Sequence, residues 1–89
     1  MITHYSILVI GKVQGVFYRA SARQKAEELN IKGVAQNLSN GNVLIEAEGD
    51  EEQLKKLVAW CNQGPPRANV KEVKVEIAEV TGYLSFSVK

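Results

Sequence analysis

Residues Gly11 to Arg19 read GKVQGVFYR and combine a flexible backbone with a fixed positive charge. Gly15 lets the chain turn sharply and lets a ligand approach the backbone closely. The successive N–H groups of Gly15, Val16, Phe17, Tyr18 and Arg19 can point inward as a concave nest for an anion. A helix starting at this point adds unpaired amides and a partial positive charge. Arg19 supplies a permanent charge on a planar fork that matches phosphate oxygens. Together these features describe an oxyanion site. The spacing fits neither a Walker loop, which needs Gly-Lys-Ser/Thr, nor a dinucleotide fingerprint. A plain strand-to-helix connector with a surface arginine uses the same residues, and the loop alone leaves both readings open.

The neighbouring elements decide what such a loop could be attached to. Tyr5–Lys12 contains the apolar run Ile7 to Ile10 and reads as a central strand buried on both faces, closed by Gly11. From about Ala20 to Asn30, Ala22, Ala26 and Leu29 recur at helical spacing among polar residues. Val34–Leu38 and Val43–Glu48 read as strands joined by Asn40-Gly41, a hairpin signal in which both turn residues take positive φ. Asp50 caps a second helix, with Gln53 placed as in a capping box and an apolar stripe of Leu54, Leu57, Val58 and Cys61. Gly64-Pro65-Pro66 ends it. A fourth strand spans roughly Val70–Val80, with Val73, Val75 and Ile77 alternating against Lys74 and Glu76, and Leu84, Phe86 and Val88 alternate in a short last strand.

The order is β-α-β-β-α-β plus a short terminal strand. This predicts an α+β fold, a ferredoxin-like α/β sandwich with two helices on one face of an antiparallel sheet. Eighty-nine residues, 45% hydrophobic and 24% charged, make one domain over residues 1–89. The net charge of +1, with no run of five like charges, argues against a nucleic-acid partner. Cys61 is the only cysteine, so no intrachain disulfide can form and a cytoplasmic location is expected. The Ile7–Ile10 run is too short for a signal-peptide core or a membrane span.

Four segments together, GKVQGVFYR, GVAQN from Gly33, NGNVLIEAEG and GPPRANVKEVKVE, resemble the acylphosphatase family from the first strand to nearly the end of the chain. The family pattern is a Val-Gln-Gly-Val-x-x-Arg loop followed by Gly-x-x-x-Asn in the second strand. The resemblance implies hydrolysis of acyl phosphates to a carboxylate and inorganic phosphate, with no metal or cofactor. It implies that Arg19 binds phosphate, that the amides of Gly15, Val16, Phe17, Tyr18 and Arg19 form the phosphate loop, and that Asn37 orients water. The chain departs from the commoner pattern at Val34 (often Trp), Gln36 (often basic), Asn40 (often Asp) and Phe17-Tyr18 (often Gly-Phe or Cys-Phe).

This chemistry suits the residues. Phosphoryl transfer is mostly positioning and charge stabilisation, which Arg19 and the loop amides would supply. A carboxylate with a conjugate-acid pKa of roughly 4 leaves as an anion and needs no general acid. The Asn37 amide has an acceptor and a donor with which to fix a water in line. It cannot take the water's proton, so the substrate's own phosphate is expected to accept it.

Other residues read more simply. His4, the only histidine, lies at the edge of the first strand without a metal-ligand partner at sequence spacing. Cys61 reads as a buried small hydrophobe and Trp60 as cover for the core edge. Asp50-Glu51-Glu52 reads as capping and dipole compensation rather than a cation site. Lys55-Lys56 reads as a solvated face, and Tyr83 and Phe86 as packing residues. An RNA-binding module shares the element order, but NVLIEAEG carries no aromatic for base stacking. Acylphosphatase-like domains also occur inside larger hydrogenase-maturation proteins, and a phosphate-binding regulator without turnover is a third option. The short chain favours a free-standing, monomeric enzyme acting on a small molecule, with no nucleic-acid or membrane partner.

Overall fold

The structure, a computed structural model, describes residues 1–89. In strand β1 (Ile2–Lys12), side chains alternate between two environments. Tyr5, Ile7 and Val9 are buried, whereas Ser6, Leu8 and Ile10 are only half-covered. The apolar run Ile7–Ile10 is therefore not buried equally on both faces as the sequence suggests. Helix α1 (Tyr18–Glu28) and strand β2 (Lys32–Asn37) follow, then strand β3 (Val43–Asp50), helix α2 (Glu51–Gln63), strand β4 (Asn69–Ala78) and strand β5 (Phe86–Val88).

The sheet order is β4-β1-β3-β2-β5, antiparallel throughout except that β5 runs parallel to β2. This is the expected ferredoxin-like α+β arrangement with the terminal strand added at the β2 edge. Ala22 and Ala26 of α1 and Leu54, Leu57 and Cys61 of α2 join Tyr5, Ile7, Val9, Ala35, Val43, Ile45 and Ala47 in one buried cluster. Both helices thus cover the same sheet face. None of the helices is long and apolar enough to cross a membrane.

Several local expectations are corrected. α1 begins at Tyr18, before Ala20. Gly11 does not close β1; it forms a bulge at φ 140° where β1 meets β4, and a Cβ there would collide with the Asn69 carbonyl oxygen. In the β2–β3 hairpin only Gly41 takes positive φ, because a three-residue loop closed by the Leu38 N–H···Asn42 O bond replaces the two-residue turn. Asp50 caps α2 by accepting from the Glu52 amide at 3.1 Å, without a reciprocal bond from Gln53. Ile77 is 71% and Leu84 92% exposed. Ile77 lies at the uncovered far end of the edge strand β4, and Leu84 lies in the segment before β5 and not in a strand.

The largest correction concerns His4, which is buried rather than peripheral. It lies on the sheet face away from the helices, paired in register with Glu48. Its Nδ1 is 2.7 Å from the Glu48 carboxylate and its Nε2 2.6 Å from Glu46. Glu48 also accepts bonds from the Thr81 amide (2.5 Å) and hydroxyl (3.1 Å) and from the amides of Gly82 (3.0 Å) and Tyr83 (3.2 Å). These bonds have a topological purpose. β4 and β5 occupy opposite edges, so Glu79–Ser85 must cross the sheet. Four strand spacings come to roughly 19 Å, and the link from Ala78 to Phe86 reaches about 26 Å when extended. The crossing has little slack, and Glu48 on the central strand holds its middle.

Burial alone would raise the Glu48 pKa, but the Thr81, Gly82 and Tyr83 amides and His4 hold it down at about 2. Burial likewise opposes charge on His4, yet the carboxylates of Glu46 and Glu48 raise its pKa above the usual 6.5. The signs follow by linkage. The Glu48 contribution is complete above pH 4.5, its ordinary value, and is lost as pH falls toward 2. The His4 contribution is complete below about pH 6.5 and fades as pH rises through its higher folded value. Glu48→Gln is expected to cost roughly 1–3 kcal/mol at pH 5–6 and to flatten the acid limb of stability between pH 4.5 and 2. Urea unfolding of both proteins across that range checks this; parallel acid limbs would refute the role of Glu48.

Candidate active site

The loop between β1 and α1 starts a helix with no side-chain cap and no acidic residue in its first turn. Phe17, at the N-cap position, has φ 64° and Gly15 has φ 72°. Left-handed backbone suits glycine but costs a bulky residue about 1–2 kcal/mol. Along this path the amides from Gly15 to Ala20 find no backbone acceptor; the first bond of the helix is Ser21 N–H to the Phe17 carbonyl at 3.0 Å. A run of free N–H groups at an uncapped helix start can cradle an anion.

The cradle opens into a cavity of about 300 Å³ lined by Val13, Gly15, Phe17, Tyr18, Arg19, Ala20, Asn37 and Val88. Arg19 and Asn37, far apart in the chain, therefore share one pocket. Arg19 is half-buried on the first turn of α1, and Asn37 is exposed at the end of β2. The Arg19 guanidinium donates to the backbone oxygen of Lys89, leaving other donors of its fork free. Val16 is the one residue of Gly15–Arg19 that does not line the pocket: its side chain is buried in the core, which leaves only its backbone for the loop. Tyr18 is also anchored below, donating to the Cys61 carbonyl at 2.7 Å and packing on Trp60 at 5.2 Å between ring centroids. Burial raises its phenol pKa well above the usual value, so the hydroxyl stays a donor. Burial also pushes the Cys61 thiol up to about 12, which leaves it inert as a nucleophile.

The acylphosphatase family model matches residues 5–88. The chain belongs to the acylphosphatase family. The acylphosphatase of Methylococcus capsulatus is 51% identical over 85% of this chain and 83% of its own length. That of Marinobacter nauticus is 53% identical over 84% and 82%. Among solved structures, an acylphosphatase from Coxiella burnetii superposes with a TM-score of 0.95 at 43% identity, covering 99% of this chain and 93% of that one. The acylphosphatase fold also matches 12% of a full-length HypF crystallised with phosphate and nucleotide, at a TM-score of 0.89 and 27% identity.

Three contributors to the acylphosphatase pocket escape the sequence reading. Gln14 donates through its side-chain amide to the carbonyls of Leu38 (2.7 Å) and Asn42 (2.9 Å), tying the loop to the hairpin that follows Asn37. Val88 lines the pocket, and Lys89, whose amide donates to the Ala35 carbonyl at 2.9 Å, meets Arg19. Gln14 stands inside the motif and carried a signal; the β5 residues carried none until strand order was known. Replacing Gln14 with Leu removes both bonds at similar volume and is expected to cost about 1–3 kcal/mol, while speeding amide exchange in residues 38–42. Urea denaturation with hydrogen-exchange mass spectrometry measures both; unchanged exchange would show that the bonds do not restrain the hairpin.

Proposed function

We propose that this acylphosphatase-family chain hydrolyses the carboxyl–phosphate bond of acyl phosphates by in-line attack of water. One observation carries the reading: the unpartnered amides from Gly15 to Ala20 open on the same pocket as Arg19 and Asn37. The amides of Gly15, Val16, Phe17, Tyr18 and Arg19, with the Arg19 guanidinium, hold the phosphoryl oxygens and offset charge that builds in the transition state. Asn37 fixes the attacking water. The water oxygen bonds to phosphorus as the bond to the acyl oxygen breaks. The carboxylate departs as an anion, and the water's proton passes to a phosphoryl oxygen. Every group in this scheme is donated by the chain or the substrate, so the reading takes the reaction to run without a metal.

The two side chains separate in their effects. Arg19→Gln loses charge-assisted bonds and is expected to weaken inorganic phosphate binding by roughly 10- to 100-fold, with turnover falling at least 100-fold. Asn37→Ala is expected to lower kcat by about 100-fold while phosphate still binds. Benzoyl phosphate hydrolysis in chelator-treated buffer, with phosphate titration by calorimetry, measures all four quantities. Wild-type kcat in Asn37→Ala would overturn its role, and phosphate binding without turnover in the wild type would overturn hydrolysis. The pH–rate profile of kcat should show no protein group ionising near neutrality; one that moved with a side-chain substitution would refute proton transfer to the substrate.

A further inference from the structure

Phe17 has two properties that a phosphate loop does not need. It is 73% exposed, the most exposed large apolar residue lining the pocket. Its backbone holds φ 64°, where a bulky residue is a true outlier and glycine would be unstrained. The amide alone therefore does not explain a phenylalanine here. Strain of this kind concentrates where a ligand is held.

The pocket supplies the ligand's outline. Its volume of about 300 Å³ equals that of roughly ten liquid waters, far more than the five heavy atoms of a phosphate need. Apart from Arg19, Asn37 and Gly15, its walls are Val13, Ala20, Val88, Tyr18 and Phe17. Val13 and Tyr18 are buried, whereas Phe17 and Val88 remain accessible. No acidic side chain and no cation other than Arg19 lines the space, so an anionic acyl tail would meet no partner once phosphate has taken the guanidinium.

We infer that Phe17 determines specificity: with Val88 it receives the substrate's acyl group, and the site favours apolar, above all aromatic, acyl phosphates over small ones. The inference rests on the hydrolytic reading. An aromatic acyl group has a flat face for the ring and buries apolar surface that is otherwise wet. An acetyl group is too short to do so.

The test compares kcat/KM for benzoyl phosphate and acetyl phosphate, which present the same phosphate to the cradle. In Phe17→Gly, which suits the left-handed backbone, the benzoyl-to-acetyl ratio is expected to fall about tenfold, chiefly through the KM for benzoyl phosphate. Phe17→Trp should keep the ratio. Val88→Ser, on a separate element, should lower it about threefold. A ratio unchanged in Phe17→Gly, or lost equally in Phe17→Trp, overturns the inference while leaving hydrolysis intact. A wild type that cleaves neither acyl phosphate overturns hydrolysis instead. The inference is then decided by binding: phenylphosphonate must bind more tightly than methylphosphonate, with that difference lost in Phe17→Gly, or the inference falls too.

Discussion

A run of backbone amides without partners is the constraint around which this protein is built. An N–H without an internal partner must be met by solvent or by a ligand, so a chain free to relax would fold these groups back onto its own carbonyls. Here it is not free. Val13 and Val16 are sunk in the core, Tyr18 is bonded to the Cys61 carbonyl, and Gln14 is bonded twice to the hairpin. Those anchors lie on both sides of Gly15 and Phe17, the two left-handed residues that aim the amides outward. The helix start adds no cap of its own. The cradle is thus preorganised, with its dipoles oriented before any anion arrives, which is what makes such donors effective in a transition state.

The far side of the pocket depends on a different anchor. β5 has only Phe86–Val88 to pair with β2, too little to hold itself. It is kept in place by the buried Phe86 ring at one end and by the stretched crossing that Glu48 grips in the middle. Glu48 and His4 sit on the sheet face away from the helices, outside the pocket lining, yet they fix the segment that brings Val88 and Lys89 to Arg19.

Much of this arrangement is legible in the chain because it is carried by local pattern. Helical spacing marks α1 and α2, Asp50 marks the start of α2, and the loop motif with its distant asparagine marks Arg19 and Asn37 before any contact is known. What stays hidden depends on register. His4 looks isolated because its partners, Glu46 and Glu48, come from β3, and only the His4–Glu48 pairing brings them together. Ile77 and Leu84 look like core because alternation reveals that a face exists, not whether anything covers it. The parallel return of β5 is invisible because three residues carry too little pattern to assign a neighbour. Phe17 is the instructive intermediate: its position in the loop was clear, but its exposure and strained backbone were not.

The same anchors narrow how the proton of the attacking water can move in the proposed reaction. His4, the one side chain whose ordinary pKa lies near neutrality, is clamped between two glutamates on the opposite sheet face. Cys61 is buried with its thiol at about 12, and the Tyr18 hydroxyl is committed to a carbonyl. The pocket itself is lined by no histidine, carboxylate or lysine. In the proposed mechanism a general base would have to reach in from outside the lining, whereas the phosphoryl oxygens of the substrate would lie next to the water. With a leaving group that needs no proton, the site can dispense with titrating side chains altogether. On the proposed reading its selectivity rests on how well amides, guanidinium and the Phe17 ring fit the two halves of one molecule.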